Sequence, residues 1–276
     1  MAIATAVRTP VVPSATNRPG LKDTLQSEFI KLRSVRSTYW TLLALVLASI
    51  AWAGFDCAGI VSHWPQDRGF NPANASLTGQ VALGELIIVT LGALVITSEY
   101  STGMIRTSLT VMPRRGVLYA AKAIAFAVVS LTLSLVTSLA AFFTGQAILS
   151  DKHLNTTLAQ PFALRAVLLS AAVVTAFGLI AYGAGAIIRN SAGAITAILG
   201  MVFLIPLLAQ ALPNGWFWDL ERWLPGGQAL SPIASGWARP APYSHLFNAW
   251  GEFAVFGGYA AVLLTVGAWL FCRRDA

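Results

Sequence analysis

The stretch Glu99-Tyr100-Ser101-Thr102-Gly103-Met104-Ile105-Arg106, closed by Pro113-Arg114-Arg115, places one carboxylate and three guanidiniums between two long apolar runs. An acid and several guanidiniums on one connection suit ion pairs and charge-assisted hydrogen bonds with another protein surface. They are not laid out for catalysis. The chain carries no G-x-x-x-x-G-K-[ST] phosphate loop, no G-x-S-x-G nucleophile turn and no H-E-x-x-H helix, so it is not expected to be an enzyme. His63, His153 and His245 fall in connections without ligand spacing, and no metal or cofactor is expected on this chain. Cys57 and Cys272 belong to opposite ends of their apolar runs, too far apart for an intrachain disulfide, and read as small apolar fillers.

A second candidate is Glu85, the one acid inside an apolar run, in Gly84-Glu85-Leu86-Ile87-Ile88, with Gln80 about a turn away. A charge at mid-span costs about 3 kcal/mol on insertion scales, so such a group faces a bundle interior or water. Two readings stay open. Glu85, with Gln80, lines a substrate path or is a proton-sensitive group facing a dimer interface, or Glu85 is a protonated or hydrogen-bonded structural carboxyl.

The elements that must position these residues are membrane spans. The 276 residues are 56% hydrophobic and only 11% charged, with a mean hydropathy of +0.68. A soluble domain carries roughly a quarter charged residues. Runs of about 20 apolar residues, enough to cross roughly 30 Å of hydrocarbon, occur near 39–60, 78–97, 117–142, 166–188, 192–212 and 253–271. The expected fold is all-α, a polytopic integral membrane protein of six transmembrane helices. Thirteen Lys and Arg fall on the side of the termini and five on the other, which puts both termini in the cytoplasm. The net charge of +7 follows this topology, and no nucleic-acid partner is expected.

In this frame the connection after the second span is cytosolic, with a bend at Gly103, a short helix from Met104 to Thr110 and a stop at Pro113. Residues 1–20 lack an apolar signal-peptide core and read as a disordered tail ahead of the 21–276 membrane domain. Leu21, Leu25, Phe29 and Leu32 then recur at helical spacing, with Lys31, Arg33 and other polar residues between them. This predicts an amphipathic helix, within 21–36, lying in the inner interface. Small residues cluster in the fourth and fifth runs, among them Gly178, Gly183, Gly185, Gly193 and Gly200, and allow close helix approach within a subunit or across a dimer. Pro206 is expected to kink the fifth span, and the Trp216–Trp223 aromatics suit the outer headgroup layer.

Three blocks resemble the permease subunits of ABC-2 type transporters: Ser27-Glu28-Phe29-Ile30-Lys31-Leu32-Arg33 leading into the first span, Glu99-Tyr100-x-x-Gly103 after the second, and Leu224-Pro225-Gly226-Gly227-Gln228 before the last. Their order and spacing carry the resemblance from about Leu21 onwards. The resemblance implies an ATP-driven exporter in the bacterial plasma membrane. In it, a second permease subunit and separate ATPase subunits, which bind ATP and Mg, complete the assembly. Glu99, Tyr100, Gly103, Arg106, Arg114 and Arg115 would form the coupling element seated on the ATPase, beside the interface helix of Leu21, Leu25, Phe29, Lys31, Leu32 and Arg33. The alternative is an ATP-independent carrier, or a membrane scaffold recruiting a cytosolic partner.

Overall fold

Inside hydrocarbon every backbone polar group needs an internal partner, which apolar runs of this length meet by forming helices. The computed structural model describes residues 20–64, 70–205, 207–208 and 249–274, and among them helix is the only regular structure. In chain order the elements are α1 (Leu21–Ser34), α2 (Arg36–Ser62), α3 (Pro72–Ser101), α4 (Met104–Val111), α5 (Arg115–Leu149), α6 (Pro161–Ile188), α7 (Ser191–Leu199) and α8 (Ala249–Arg273). A wider π-type turn, Gly200–Leu204, prolongs α7.

Five of these helices, α2, α3, α5, α6 and α8, are long and apolar enough to cross a membrane. The fifth run of the sequence is only partly described. The nine residues of α7 and the five of its π turn extend about 21 Å, short of the roughly 30 Å a span requires. The remainder of that run, Pro206 included, lies outside the described residues. So do residues 1–19, the Trp216–Trp223 aromatics and the Leu224–Gln228 block.

Helix ends follow local chemistry. The α3 helix begins six residues before the apolar run at Thr78, because the Asn71 side chain accepts from the Ala73 and Asn74 N–H groups and Pro72 occupies the first turn. Between α6 and α7 the chain turns in two residues. Arg189 takes a left-handed conformation and Asn190 caps α7 through the Gly193 N–H.

The helix α6 is central, packing against α3, α5, α7 and α8. Its glycines set the spacing. A β-carbon on Gly92 of α3 would collide with the Gly178 carbonyl, one on Gly183 would lie 2.7 Å from the Leu263 backbone of α8, and one on Gly185 would lie 3.2 Å from the Ala93 carbonyl. The small residues of α6 are therefore spent within the subunit, on α3 and α8. Larger side chains fill the remaining volume: Ile88, Phe126, Val174 and Phe177 are buried together, and Phe177 meets Phe256 edge-on at 4.5 Å.

Candidate functional site

The connection after α3 is built around one glycine. Thr102 ends α3, and Gly103 follows at φ 71°, redirecting the chain into α4. Open space surrounds Gly103, so it is the backbone angle that selects glycine here. Gly103→Ala should cost about 1 kcal/mol, while Asn, which tolerates the left-handed region, should cost less. Paired thermal unfolding of the two variants in detergent measures the difference.

The short α4 is amphipathic. Ile105 and Met112 are buried and Leu109 half-buried, packed with Ile96, Leu118, Tyr119, Tyr182 and Phe271 from four longer helices. Its other side presents Arg106, Thr107, Thr110 and Val111, all exposed, followed by the exposed Arg114. The element is thus seated by its apolar edge on the helix ends, with guanidiniums pointing away.

Directly behind α4 lies a four-charge cluster. Lys122 of α5 donates to Glu28 Oε2 of α1 at 2.6 Å and to Glu99 Oε1 of α3 at 2.8 Å. Lys31 donates to Glu28 Oε1 at 2.8 Å and Glu99 Oε1 at 3.2 Å, and reaches Ser108 Oγ of α4 at 3.4 Å. The side chains of Lys122, Glu28 and Glu99 are at most 5% exposed. Two carboxylates and two ammoniums thereby join α1, α3, α4 and α5 at one point. Partial burial pulls the Lys31 ammonium down. The hydrogen bond that Lys31 donates to Glu28 and the charges of Glu99 and Glu28 more than offset this, raising Lys31 above its usual 10.5. With its folded value raised, the contribution of Lys31 is complete at neutral pH and is lost only as pH climbs past that range.

This cluster decides which face of α1 meets the protein. Its most buried side chains are Thr24 and Glu28, not the apolar stripe: Leu25, Phe29 and Leu32 are half-buried and Leu21 is exposed. The helix meets the protein through its polar face because Lys122 and Glu99 wait there. Its apolar residues are left for the surroundings.

The other residues singled out from the sequence have distinct places. Tyr100 sits under the Arg189 guanidinium, 4.9 Å from its ring centre, and edge-on to Phe271. Arg115 donates to the Arg274 carbonyl at 2.7 Å, and Arg274 to the Ile187 carbonyl at 3.0 Å, so the ends of α5, α6 and α8 are tied together. Glu99 faces inward, while Arg106 and Arg114 face out. Gln80 and Glu85 are wholly buried within the subunit's own bundle rather than on a lateral face. Gln80 donates to the Ser134 carbonyl at 2.8 Å, and neither Glu85 oxygen has a hydrogen-bond partner among the described residues. Glu28, Lys122 and Arg189 were missing from the sequence-derived set. The available signal was Lys122, a cation inside an apolar run, which requires a buried partner.

Between α1 and α4 opens a cleft of about 330 Å³ whose rim includes Asp23, Ser27, Lys31, Thr107, Ser108 and Val111. The cleft combines these polar side chains with an apolar lining from Met104, Met112 and Leu118. Among the described residues no group of His, Cys, Asp and Glu could hold a metal. A family model described as ABC-2 family transporter protein matches residues 24–210, from the first turn of α1 past the end of α7. The chain belongs to the ABC-2 transporter family. No curated protein matches it. As an ABC-2 family protein it is a membrane transport component and is not itself catalytic. The matched region contains the whole of α4 and the four-charge cluster behind it.

Proposed function

We propose that this chain is the permease subunit of an ABC-2 type exporter, forming the substrate path with a second permease subunit and driven by separate cytosolic ATPase subunits. The observation that carries the reading is α4. It is seated at its back on the helix ends through Ile105, Leu109 and Met112 and touches the charge cluster of α1, α3 and α5 through Ser108, and it shows Arg106 and Arg114 at its front beside the α1 cleft. A partner pushing on α4 would move α3 and α5 with it, because the charge cluster resists being pulled apart. The six-span layout, with both termini in the cytoplasm, belongs to the same reading and is supported by the Lys and Arg asymmetry.

The role of Glu99 is refined by its burial. It is the inner fastener of the coupling element, and Arg106 and Arg114 are its contact residues. The test is a pull-down and ATPase assay with a candidate nucleotide-binding subunit co-expressed with this chain. The purified chain alone should hydrolyse no ATP, and the complex should hydrolyse it in a manner responsive to the permease. Arg106→Ala combined with Arg114→Ala should lower permease-dependent hydrolysis and complex yield by about tenfold, as two charge-assisted contacts are lost. Unchanged yield and hydrolysis in a folded double variant would remove the coupling role.

A further inference from the structure

With Thr24, Glu28 and Lys31 turned inward, the opposite stripe of α1 consists of Lys22, Gln26, Phe29 and Arg33, spaced four, three and four residues apart. Lys22, Gln26 and Arg33 are exposed. Between this side of α1, the start of α2 and the wall of α5 lies a second cleft of about 520 Å³, lined among others by Gln26, Phe29, Arg33, Tyr39, Leu42 and Val129. No acid lines it.

The cleft is graded from polar to apolar. Arg33 and Gln26 sit on α1, at the level of the charge cluster. Leu42 lies six residues into α2, and Val129 lies seven residues beyond Lys122 on α5, each about 10 Å deeper along its helix. Tyr39, which lines the cleft, is 53% exposed, an amphipathic aromatic of the kind expected at headgroup level. Beyond Tyr39 the exposed face of α2 continues through Leu43 and Leu47, 45% and 57% exposed, an apolar surface that opens sideways toward hydrocarbon next to the cleft.

We propose that this cleft is a binding site for one anionic phospholipid of the leaflet in which α1 lies. The phosphate sits at Arg33 and Gln26, and the upper part of an acyl chain lies along Phe29, Leu42 and Val129. Charge complementarity selects an anionic headgroup, because the lining holds a guanidinium and no carboxylate. The sideways opening selects a lipid over a protein segment, since the occupant must continue into the bilayer. Such a lipid wedges α1 against α2 and α5 on the side opposite the four-charge cluster. This assignment is independent of any ATPase partner.

The test is native mass spectrometry of the full chain released from vesicles of equal phosphatidylglycerol and phosphatidylcholine. A single phosphatidylglycerol should be retained in preference to phosphatidylcholine. Arg33→Gln should reduce that preference about fivefold, the effect of one basic residue near an anionic surface. Arg114→Gln removes the same charge elsewhere on that face and should leave the preference intact. Val129→Trp fills the apolar floor and should lower retention of both lipids. Should that variant fail to fold, the two arginine variants decide alone. Equal losses in the two arginine variants would assign the effect to diffuse surface charge and overturn the site. Equal retention of both lipids, displacement by soluble glycerol phosphate, or a second copy of the chain in place of the lipid would each overturn it as well.

Discussion

Lys122→Met is expected to destabilise the folded chain by about 3–5 kcal/mol, because it leaves two buried carboxylates facing each other without their shared cation. Methionine matches the length of lysine, so the change removes the charge with little loss of packing. Glu28 and Glu99 both bond Lys122 within 2.8 Å, and Lys31 remains within 3.2 Å of each. Lys31 is more exposed, at 36%, and cannot replace the buried ammonium in a position shielded from water. The visible consequence is release of α1, read as new protease sensitivity in the 20–35 region together with a lower unfolding midpoint in detergent. The companion variant, Lys122→Met with Glu28→Gln and Glu99→Gln, removes the uncompensated charge and should recover most of the stability. Failure of the triple variant to recover would mean that packing around Lys122, rather than its charge, holds α1.

The second large effect is expected at Gly92→Ala. An added methyl would meet the Gly178 carbonyl, with the Gly178 carbonyl carbon at 2.9 Å, and both groups belong to helix backbone that cannot rotate aside. Overpacking of well-packed cores costs about 1–3 kcal/mol where side chains can yield. Here whole helices must part, so the upper end of that range or beyond is expected. Gly59→Ala is the matched control, since nothing lies within 4 Å of the β-carbon it adds. At that site alanine should stabilise by up to about 1 kcal/mol through helix propensity. Opposite signs for two Gly→Ala changes, measured as unfolding midpoints in the same detergent, separate close helix approach from backbone preference. A small loss at Gly92 would show that α3 and α6 have room to slide.

The two substitutions probe different levels of the same device. Gly92 and Gly178 bring α3 against α6, which sets the height at which the end of α3 delivers Glu99. The charge cluster then fastens α1 and α4 to that end. Under the proposed coupling, the first pair would act as a stiff shaft and the second as a secure handle.

Much of this architecture was legible in the residues themselves. Long apolar runs dictate helices because hydrocarbon offers no hydrogen-bond partner. Gly103 and Pro113 bracketed α4 to within a residue, since a left-handed turn and a missing N–H are local properties. The basic asymmetry supplied an orientation for the spans, and the block around Glu99 already pointed to an ABC-2 transporter.

Only the tertiary structure decided which side of each element meets what. Periodicity established that α1 has a polar and an apolar face, without saying which other helices meet the polar face. The fold turned it inward, because Lys122 and Glu99, distant by 94 and 71 residues from Glu28, converge there when the helices pack. Glu99 became a fastener and Arg106 an outward contact for the same reason, although both lie in one short segment. Gln80 and Glu85, which the sequence left between two readings, are placed in the bundle interior. A charge pattern along the chain tells that a partner is needed. Which partner it finds depends on the rotation and height of helices far apart in sequence, and those are set by backbone contacts such as Gly92 on Gly178.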